Sequence, residues 1–429
     1  MCLSVQIRFF ITLVFLLGTF SPQAKGKLFD VLDFGAVGDA RTDDSKAFLD
    51  AWRSVCEATT TSGATIPTLQ VPAGKTFLLK QVKFSGPCKS ATVQIQMMGN
   101  IIAPISTDWT DCKSGCWLCF DHVDNLIISG TATINGNGAV WWQKSTHEKI
   151  GDCNKPAVLY FQSCNNLRVS GLTSHNSPLN HIGISGCKDV SISKINLIAP
   201  KDSPNTDGID IANSKELDIS DSFIGTGDDC IAINGGSSNI KITRLNCGPG
   251  HGISVGSLGK DGSNDMVQEV HVRNCTFNGT QNGARIKTWA GGLGFARSIS
   301  YEDIILIGAG NPIFIDQHYC PRQNCPPEKQ TAVKVSDITF SKFQGTSADN
   351  IAITLNCSSI VPCTNIKMNL VNITSLNPSS KVEAICNHAD GTATFTAPVV
   401  PCLSSVQDVL IRREGQTQDG DQKPQYYEL

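Results

Sequence analysis

The chain has 429 residues, 17% of them charged, and a formal net charge of −3. A balance so close to neutral gives no support to a nucleic-acid-binding or membrane-attached protein, and an anionic ligand would need a local basic site. Glycine is abundant, with 38 residues, which suits a β-rich protein with many turns better than a helical bundle. The length allows two or three domains, or one long repeat domain.

The first residues have the pattern of an export signal. Arg8 supplies a positive start, residues 9–20 form an apolar run, and Ala24 offers a small residue for cleavage. The run is too short to cross a bilayer, which takes about 20 residues; a buried strand is the alternative. We therefore predict a signal peptide over residues 1–24, a mature domain over 25–413 and a polar tail over 414–429. We expect a secreted, extracellular or cell-wall protein.

Cysteine usage fits export. The sequence holds 18 cysteines, or 17 once Cys2 is removed with the signal. In an oxidising compartment we expect most of them to pair and one thiol to remain. Short loops favour three bridges: Cys320–Cys325, Cys357–Cys363 and Cys386–Cys402. The alternative for one cluster is a zinc site, with its ligands at tight spacing: Cys112, Cys116, Cys119 and His122.

Four sequons of the form N-x-S/T are present, beginning at Asn274, Asn278, Asn356 and Asn372. In an exported protein such sequons are candidate glycan sites and mark the surface. We therefore expect a glycoprotein.

Short apolar triplets recur through the middle of the chain. One series starts at Leu126, Leu167, Val190, Leu217, Ile240 and Val270, and from Leu167 the starts are 23, 27, 23 and 30 residues apart. Most triplets alternate apolar, polar and apolar residues, as a short strand with one buried face does. A polar residue precedes each start: Asn125, Asn166, Asp189, Glu216, Asn239 and Glu269. Small residues stand three places before four starts: Cys164, Cys187, Ser214 and Ser237. The pattern predicts a turn that recurs in one phase.

A second series interleaves with the first, starting at Ile182, Ile209, Ile231 and Ile253. Two strand series per repeat of roughly 20 to 30 residues predict a solenoid whose coils stack as at least two parallel sheets. We therefore predict an all-β, single-stranded parallel β-helix. Equivalent residues of neighbouring coils should lie about 4.8 Å apart.

The N-terminal part instead predicts a helix. Asp43 or Asp44 stands just before a run of apolar residues at helical spacing: Ala47, Phe48, Ala51, Trp52 and Val55. A solenoid needs its open apolar end covered, so we expect this helix to be the cap.

Polar residues occupy one position of the second series, two places before each strand start. They are Asn180, Asp207, Asp229 and His251, with Asp228 as a third carboxylate. Phase alone predicts that they stack in consecutive coils, and Arg285 and Lys287 would bring two cations near the row. His181 is one place out of phase, so we expect its side chain to point away.

Stacked carboxylates repel one another, by roughly 3 kcal/mol at about 5 Å and an effective dielectric constant of 20. A shared proton, a cation or both must offset that repulsion. A carboxyl with a raised pKa beside an ionised one is what acid/base hydrolysis of a glycosidic bond needs. Taken singly, Asp207 could be a turn residue, and Asp228-Asp229 could be a calcium site. The prediction therefore depends on these residues occupying one position of the repeat in consecutive coils.

Four segments together resemble the signature blocks of the polygalacturonases, and their sequences are similar to those of the plant branch. They are SPNTDG at 203–208, GDDC at 227–230, CGPGHG at 247–252 and RIKTW at 285–289, and DFGAVGD at 33–39 also fits. The resemblance implies a right-handed, pectin-lyase-like β-helix. It also implies hydrolysis, with inversion, of α-1,4 bonds between galacturonate units of de-esterified pectin (homogalacturonan).

The resemblance also implies roles. Asp228 would be the general acid, and Asp207 and Asp229 would activate the attacking water. His251 would maintain the protonation state of the acid. Arg285 and Lys287 would hold the substrate carboxylate, with Tyr319 in the same groove. Cys230 and Cys247 resemble a bridge of the family. We expect a monomer that binds pectin and uses no cofactor or metal.

Two other classes of function stay open on the sequence: a calcium-dependent pectate lyase and a non-catalytic pectin-binding β-helix. A related hydrolase acting on rhamnose-containing pectin is a nearer alternative. Inverting glycosidases usually keep their carboxyls about 6.5 to 9.5 Å apart, whereas stacking on adjacent coils favours a shorter distance.

Overall fold

The structure is a computed structural model that describes residues 27–59, 65–105, 109, 115–142, 154–321 and 330–405. The predicted signal peptide, residues 1–24, and the predicted tail, residues 414–429, lie outside the described residues. One helix, α1, spans Ser45–Glu57 and a single helical turn, α2, spans Ala139–Trp142. Two 3-10 turns cover Val31–Phe34 and Lys260–Gly262.

Strands form nearly all the remaining regular structure. The first half of the chain contains β1 Leu28–Asp30, β2 Asp39–Asp43, β3 Thr68–Val71, β4 Thr76–Leu78, β5 Val82–Ser85, β6 Val93–Met97, β7 Asn100–Ile102, β8 Cys116–Asp121, β9 Leu126–Gly130, β10 Thr133–Asn135, β11 Ala157–Gln162, β12 Leu167–Ser170, β13 Thr173–His175, β14 Ile182–Ser185, β15 Lys188–Ser193 and β16 Asn196–Ile198. The second half contains β17 Ile209–Ala212, β18 Lys215–Gly225, β19 Ile231–Ile233, β20 Ser237–Cys247, β21 Ile253–Leu258, β22 Asn264–Asn278, β23 Asn282–Thr288, β24 Leu293–Ala309, β25 Asn311–Asp316, β26 Lys334–Ser347, β27 Ile351–Asn356, β28 Cys363–Ser375, β29 Glu383–Asn387, β30 Ala389–Ala397 and β31 Ser404–Ser405.

The strands stack coil upon coil into two sheets. An 11-stranded sheet contains β5, β8, β11, β14, β17, β19, β21, β23, β25, β27 and β29, and the other strands form a 20-stranded sheet. Strands of successive coils pair in parallel in both sheets. The predicted parallel β-helix is therefore confirmed.

The register of the sheets follows the two triplet series. In the larger sheet Leu167 pairs with Val190 and Val190 with Leu217. In the smaller sheet Ile182 pairs with Ile209 and Ile209 with Ile231. Inward residues stack in columns: the ring centroids of Phe84, Phe120 and Phe161 are 5.0 and 4.9 Å apart. These distances match the strand spacing of about 4.8 Å.

The recurring polar residue before each triplet forms a left-handed turn. The six residues named above have φ between 51 and 62°, a region that asparagine and aspartate enter more readily than most residues. The turn explains why the polar positions keep one phase.

The small residues three places before the triplets form an internal hydrogen-bond ladder. The backbone N–H of Cys164 donates to Sγ of Cys187 at 3.2 Å, and that of Cys187 donates to Oγ of Ser214 at 3.0 Å. Cys164, Cys187 and Cys275 are buried free thiols. The expectation of one unpaired cysteine is therefore wrong, because two thiols fill turn positions that serine fills in the next coil.

Disulfides occur along the whole solenoid. The predicted bridges Cys357–Cys363 and Cys386–Cys402 are present, as is Cys230–Cys247. Cys320 is also disulfide-bonded, but Cys325 lies outside the described residues. Cys116 bonds to Cys119 and Cys56 to Cys88. The Cys116–Cys119 bridge removes two ligands from the alternative zinc site.

Helix α1 covers the N-terminal end of the stack, as predicted. It contacts β1, β3 and β5, and Phe48 and Trp52 pack edge-on against Phe77 and Phe84. Asp44 is the N-cap residue, but its carboxylate accepts hydrogen bonds from the backbone N–H groups of Val37 and Gly38 instead of the helix. Neither helix in the described ranges is both long and apolar enough to cross a membrane.

Candidate active site

The predicted row of polar residues forms on the 11-stranded sheet. The backbone hydrogen bonds of this sheet continue past the strand starts: Gly208 N–H donates to the carbonyl of Asp229 at 2.9 Å, and Cys230 N–H donates to Gly252 at 2.8 Å. Asp207, Asp229 and His251 therefore lie in consecutive coils. The Cys230–Cys247 disulfide ties the strand start beside Asp229 to the end of β20.

Asp228 forms a pair with His251. The Nδ1 atom of the imidazole lies 2.8 Å from Oδ1 of Asp228, and both side chains remain partly exposed, at 32% and 20%. Burial acts to raise the pKa of Asp228, but hydrogen bonding and charge from His251, together with the charge of Lys287 and a bond from the Asp229 N–H, outweigh burial and lower that pKa. The Asp229 N–H also donates to this carboxylate at 2.9 Å.

Asp229 is almost completely buried, with 1% of its surface exposed, and is held by donors on three sides. Lys287 Nζ lies 2.6 Å from Oδ2, and Oδ1 accepts from Ser254 Oγ at 2.7 Å and from Arg285 at 3.5 Å. Burial acts to lower the pKa of Lys287, but the charge of Asp229 outweighs burial and raises it. Asp229 and Lys287 therefore form a buried ion pair.

Asp207 faces a fourth carboxyl, Asp210, in its own coil. Burial and the negative charges of Asp210 and Asp228 raise the pKa of Asp207 well above its usual range. Burial also raises the pKa of Asp210 to about 6, although a hydrogen bond from Asp207 opposes the rise. Oδ1 of Asp210 is buried with no partner among the described donors. Both carboxyls thus have a raised pKa, and hydrogen bonding from Asp207 to Asp210 favours a protonated Asp207 beside an ionised Asp210.

The predicted carboxylate clamp lies beside the row. Arg285 and Lys287 alternate along β23, which lies two coils beyond Asp229, and both side chains reach Asp229. Both cations lie over the Tyr319 ring, 5.6 and 5.4 Å from its centroid. Tyr319 packs edge-on against Trp289, so the tyrosine helps to hold both cations in place. Six of the seven predicted site residues are therefore joined by direct contacts, and Asp207 lies in the adjacent coil.

The cluster also has a donor set that a divalent cation accepts. One ligand atom each from Asp228, Asp229 and His251 lies within 4.8 Å of the others. Those atoms already have protein partners, because His251 bonds to Asp228, while Asp229 bonds to Lys287 and Ser254. A cation would have to displace Lys287 from Asp229, so the arrangement favours hydrogen bonding.

Comparison with known proteins identifies the family. A profile of the glycosyl hydrolases family 28 matches residues 61–394. The chain belongs to glycosyl hydrolases family 28. It is therefore a glycoside hydrolase, and the lyase and binding-protein alternatives give way to this assignment. Similar proteins include a probable polygalacturonase of Arabidopsis thaliana, 47% identical over 89% of this chain and 82% of that protein. Polygalacturonase-2 of Solanum lycopersicum is 41% identical over 84% and 78%.

Solved structures share the fold of this family 28 chain. An endo-xylogalacturonan hydrolase from Aspergillus tubingensis superposes with a TM-score of 0.72 and 24% identity, covering 88% of this chain and 99% of that one. A polygalacturonase from Erwinia carotovora gives a TM-score of 0.66 at 23% identity, covering 84% and 96%. At these identities the likeness concerns the β-helix alone.

Two residues of this family 28 site were missed by the sequence analysis: Asp210 and Ser254. Each is the middle residue of a triplet in the second series, and register places both in one outward column with Arg285. The signal was present, because middle positions of these triplets point away from the core. Polar middle residues beside the row were therefore candidates for the site.

His181 follows the prediction that it leaves the row. It is fully buried, and its Nδ1 lies 2.8 Å from Ser174 Oγ inside the solenoid. Burial lowers the pKa of His181 to about 3, so the ring is neutral.

Proposed function

We propose that this glycoside hydrolase cleaves α-1,4 bonds between galacturonate units of de-esterified pectin, with inversion at the anomeric carbon. The observation that carries the proposal is the pair of cations, Arg285 and Lys287, fixed beside three carboxyls. Relatives at 40–47% identity are named polygalacturonases, and a cationic pair beside the reacting groups suits a uronate.

In the proposed mechanism Asp228 protonates the leaving oxygen, and Asp207 and Asp229 activate water. His251 controls the protonation of Asp228 through their 2.8 Å contact. Lys287 and Arg285 bind the substrate carboxylate, which draws them partly away from Asp229 and frees its oxygens for water. Tyr319 keeps both cations oriented during this exchange.

The pKa directions set one requirement on this mechanism. As the side chains stand, Asp207 has the raised pKa and Asp228 the lowered pKa. An acid role for Asp228 requires the substrate to reverse this order. Bound sugar excludes water from Asp228 and brings a negative charge to Lys287, and both effects raise the pKa of Asp228.

The raised pKa of Asp207 also supports a second assignment, in which Asp207 is the acid. A substrate with a good leaving group, such as nitrophenyl galacturonide, separates the two, because departure of nitrophenolate needs no protonation. We expect Asp228→Asn to retain a much larger fraction of wild-type activity on this substrate than on the polymer. The same behaviour in Asp207→Asn instead would exchange the two roles.

We also propose that the protein acts outside the cell as a monomer, in the cell wall. The disulfides along the described solenoid are typical of an oxidising compartment. Mass spectrometry of the extracellular fraction should find an N-terminus close to Lys25, and detection of an intact N-terminus inside the cell would contradict secretion.

The test of the function uses purified mature protein, de-esterified polygalacturonate and excess EDTA. We expect new reducing ends without the ultraviolet absorbance of unsaturated products. Calcium-dependent formation of unsaturated ends would show a lyase instead. Absence of both signals would show that the chain acts on a different pectin backbone or has no activity on pectin. NMR of the first product gives its anomeric configuration, and retention would overturn inversion.

A further inference from the structure

An aromatic side chain, Tyr160, lies on the 11-stranded sheet ahead of the acid cluster. Tyr160 lies in β11 between Leu159 and Phe161, which both point into the core. The tyrosine therefore points to the opposite face, which carries the site. Register pairs Tyr160 with Gly183 and Gly183 with Asp210. The ring is thus two coils, or about 10 Å, from Asp210 along the solenoid axis.

The ring lies directly against the backbone of the next coil. A Cβ atom at Gly183 would lie 2.4 Å from Cδ2 and 2.8 Å from Cε2 of Tyr160, and 3.0 Å from Nδ2 of Asn180. Only glycine at this position leaves room for the ring. Asn180 itself precedes Asp207 in the predicted row, so the ring adjoins the coil next to the carboxyls. Tyr160 is half-buried, and the Cδ2–Cε2 side of its ring packs on Gly183 of the next coil.

The outward residues beside this ring are neutral in its own coil and in the coil toward the acid cluster, while the preceding coil carries Asp121, in register with Gln162 and paired with Lys83 at 2.7 Å. Gln162 and Ser185 pair in register next to Tyr160 and Gly183, and both are half-buried. The tyrosine hydroxyl lies 3.5 Å from Oε1 of Gln162. This composition contrasts with the other side of the cluster, where Arg285 and Lys287 present two positive charges.

A half-exposed aromatic ring flanked by amide and hydroxyl groups binds the C–H face of a sugar without requiring a charge. We propose that Tyr160 is the platform of a sugar-binding subsite on the β11 side of Asp207, which accepts an esterified galacturonate as readily as the free acid. The inference rests on the proposed function. Under this proposal, only Arg285 and Lys287 require a free carboxylate on the substrate.

The first test compares Tyr160→Ala, Tyr160→Phe and wild type on de-esterified polygalacturonate. We expect Tyr160→Ala to raise KM about tenfold and to leave kcat nearly unchanged, while Tyr160→Phe keeps the ring and the wild-type KM. Gly183→Ala displaces the ring and should raise KM as well. The matched control is Phe395→Ala, an aromatic residue that is 79% exposed on the other sheet. A wild-type KM in Tyr160→Ala would overturn the platform.

The second test asks whether the subsite at Tyr160 must be uncharged to accept esterified galacturonate. Gln162→Lys places a cation beside the ring, and we expect it to lower the rate on partly methyl-esterified polymer relative to the de-esterified polymer. An unchanged ratio would overturn the neutral subsite. Thermal unfolding of each variant separates loss of fold from loss of binding. If wild type hydrolyses neither polymer, the proposed function fails. Calorimetric binding of galacturonate oligomers to wild type and Tyr160→Ala then decides the subsite on its own.

Discussion

The acid cluster on the 11-stranded sheet and the ion-pair ladder on the 20-stranded sheet distribute charge in opposite ways, although both repeat at the same spacing. On the 20-stranded sheet, Asp221 pairs with Arg244 of the next coil at 2.6 Å, and Asp303 pairs with Arg273 at 2.9 Å. These side chains are largely solvated and alternate in sign. At the acid cluster of the 11-stranded sheet, carboxyls stack on carboxyls; Asp229 is buried, and the other three are half-buried.

This difference in charge shows that the acid cluster, and not the exposed ion-pair ladder, needs a functional explanation. Alternating charges in solvent satisfy one another, and such pairs add little to stability. Like charges at the coil spacing must recruit a proton or a counter-ion. Asp207 has a raised pKa beside Asp210, and Asp229 binds Lys287. A fold has no structural need for this arrangement, and clustered groups with shifted pKa values are expected at functional sites.

The largest expected effect comes from neutralising one acid on each face. Asp228→Asn should lower kcat on polygalacturonate by about 10²- to 10⁴-fold, the usual contribution of a general acid. Asp221→Asn, on the exposed ladder, should leave kcat unchanged. Initial rates of reducing-end release measure both. Equal rates in Asp228→Asn and wild type would remove Asp228 from the catalytic role.

The next largest effect concerns stability. Lys287→Met leaves Asp229 buried without its principal partner, and we expect a loss of about 3 kcal/mol in the free energy of unfolding. Arg244→Met removes an exposed partner of Asp221 and should change stability little. Denaturant unfolding of both variants gives the comparison. A similar, small change in the two variants would show that the buried pair does not stabilise the fold.

The raised pKa of Asp210 predicts a pH dependence of stability. Because the pKa of Asp210 is raised to about 6, the native state binds more protons than the unfolded state between about pH 4 and 6. The contribution of Asp210 to stability therefore falls as pH rises through that window. We expect Asp210→Asn to become more stable relative to wild type, by up to about 3 kcal/mol between pH 4 and pH 7.

Melting temperatures at the two pH values measure this difference. The control is Asp221→Asn, because Arg244 lowers the pKa of Asp221 to about 2. Its contribution is lost only as pH falls toward that value, so its difference from wild type should stay constant between pH 4 and pH 7. A constant difference for Asp210→Asn too would mean that Asp210 has an ordinary pKa.

Periodicity predicted most of the fold and much of the site. A phase argument placed Asp207, Asp229 and His251 in one row because strand register in a solenoid is fixed by the repeat. The same argument excluded His181. Side-chain partners were beyond it: the bond of Lys287 to Asp229 spans 58 residues and depends on rotamers. The raised pKa of Asp207 depends on burial, which a sequence pattern does not contain. The three free thiols were missed because cysteine counts carry no geometry.

The smallest expected effect concerns glycans, and it sharpens the contrast between the faces. Asn274, Asn278 and Asn372 are exposed on the 20-stranded sheet, in β22 and β28. Asn356 instead lies on the 11-stranded sheet, in register with Asp316 and, one coil further, Lys287. Its Nδ2 donates to Asp316 at 2.8 Å, so a glycan there would break that bond and project over the groove.

We therefore expect glycopeptide mass spectrometry of protein from a eukaryotic host to find Asn356 unmodified, with glycans confined to the other three sequons. Asn356→Gln should leave the protein mass pattern and the activity nearly unchanged, while Asn372→Gln removes one glycan. A glycan on Asn356 in active protein would mean that bound polymer does not reach the coil of Asn356, two coils beyond Lys287. In that case the functional face would be shorter than the sheet that carries it, because bound polymer and glycan cannot occupy the same surface.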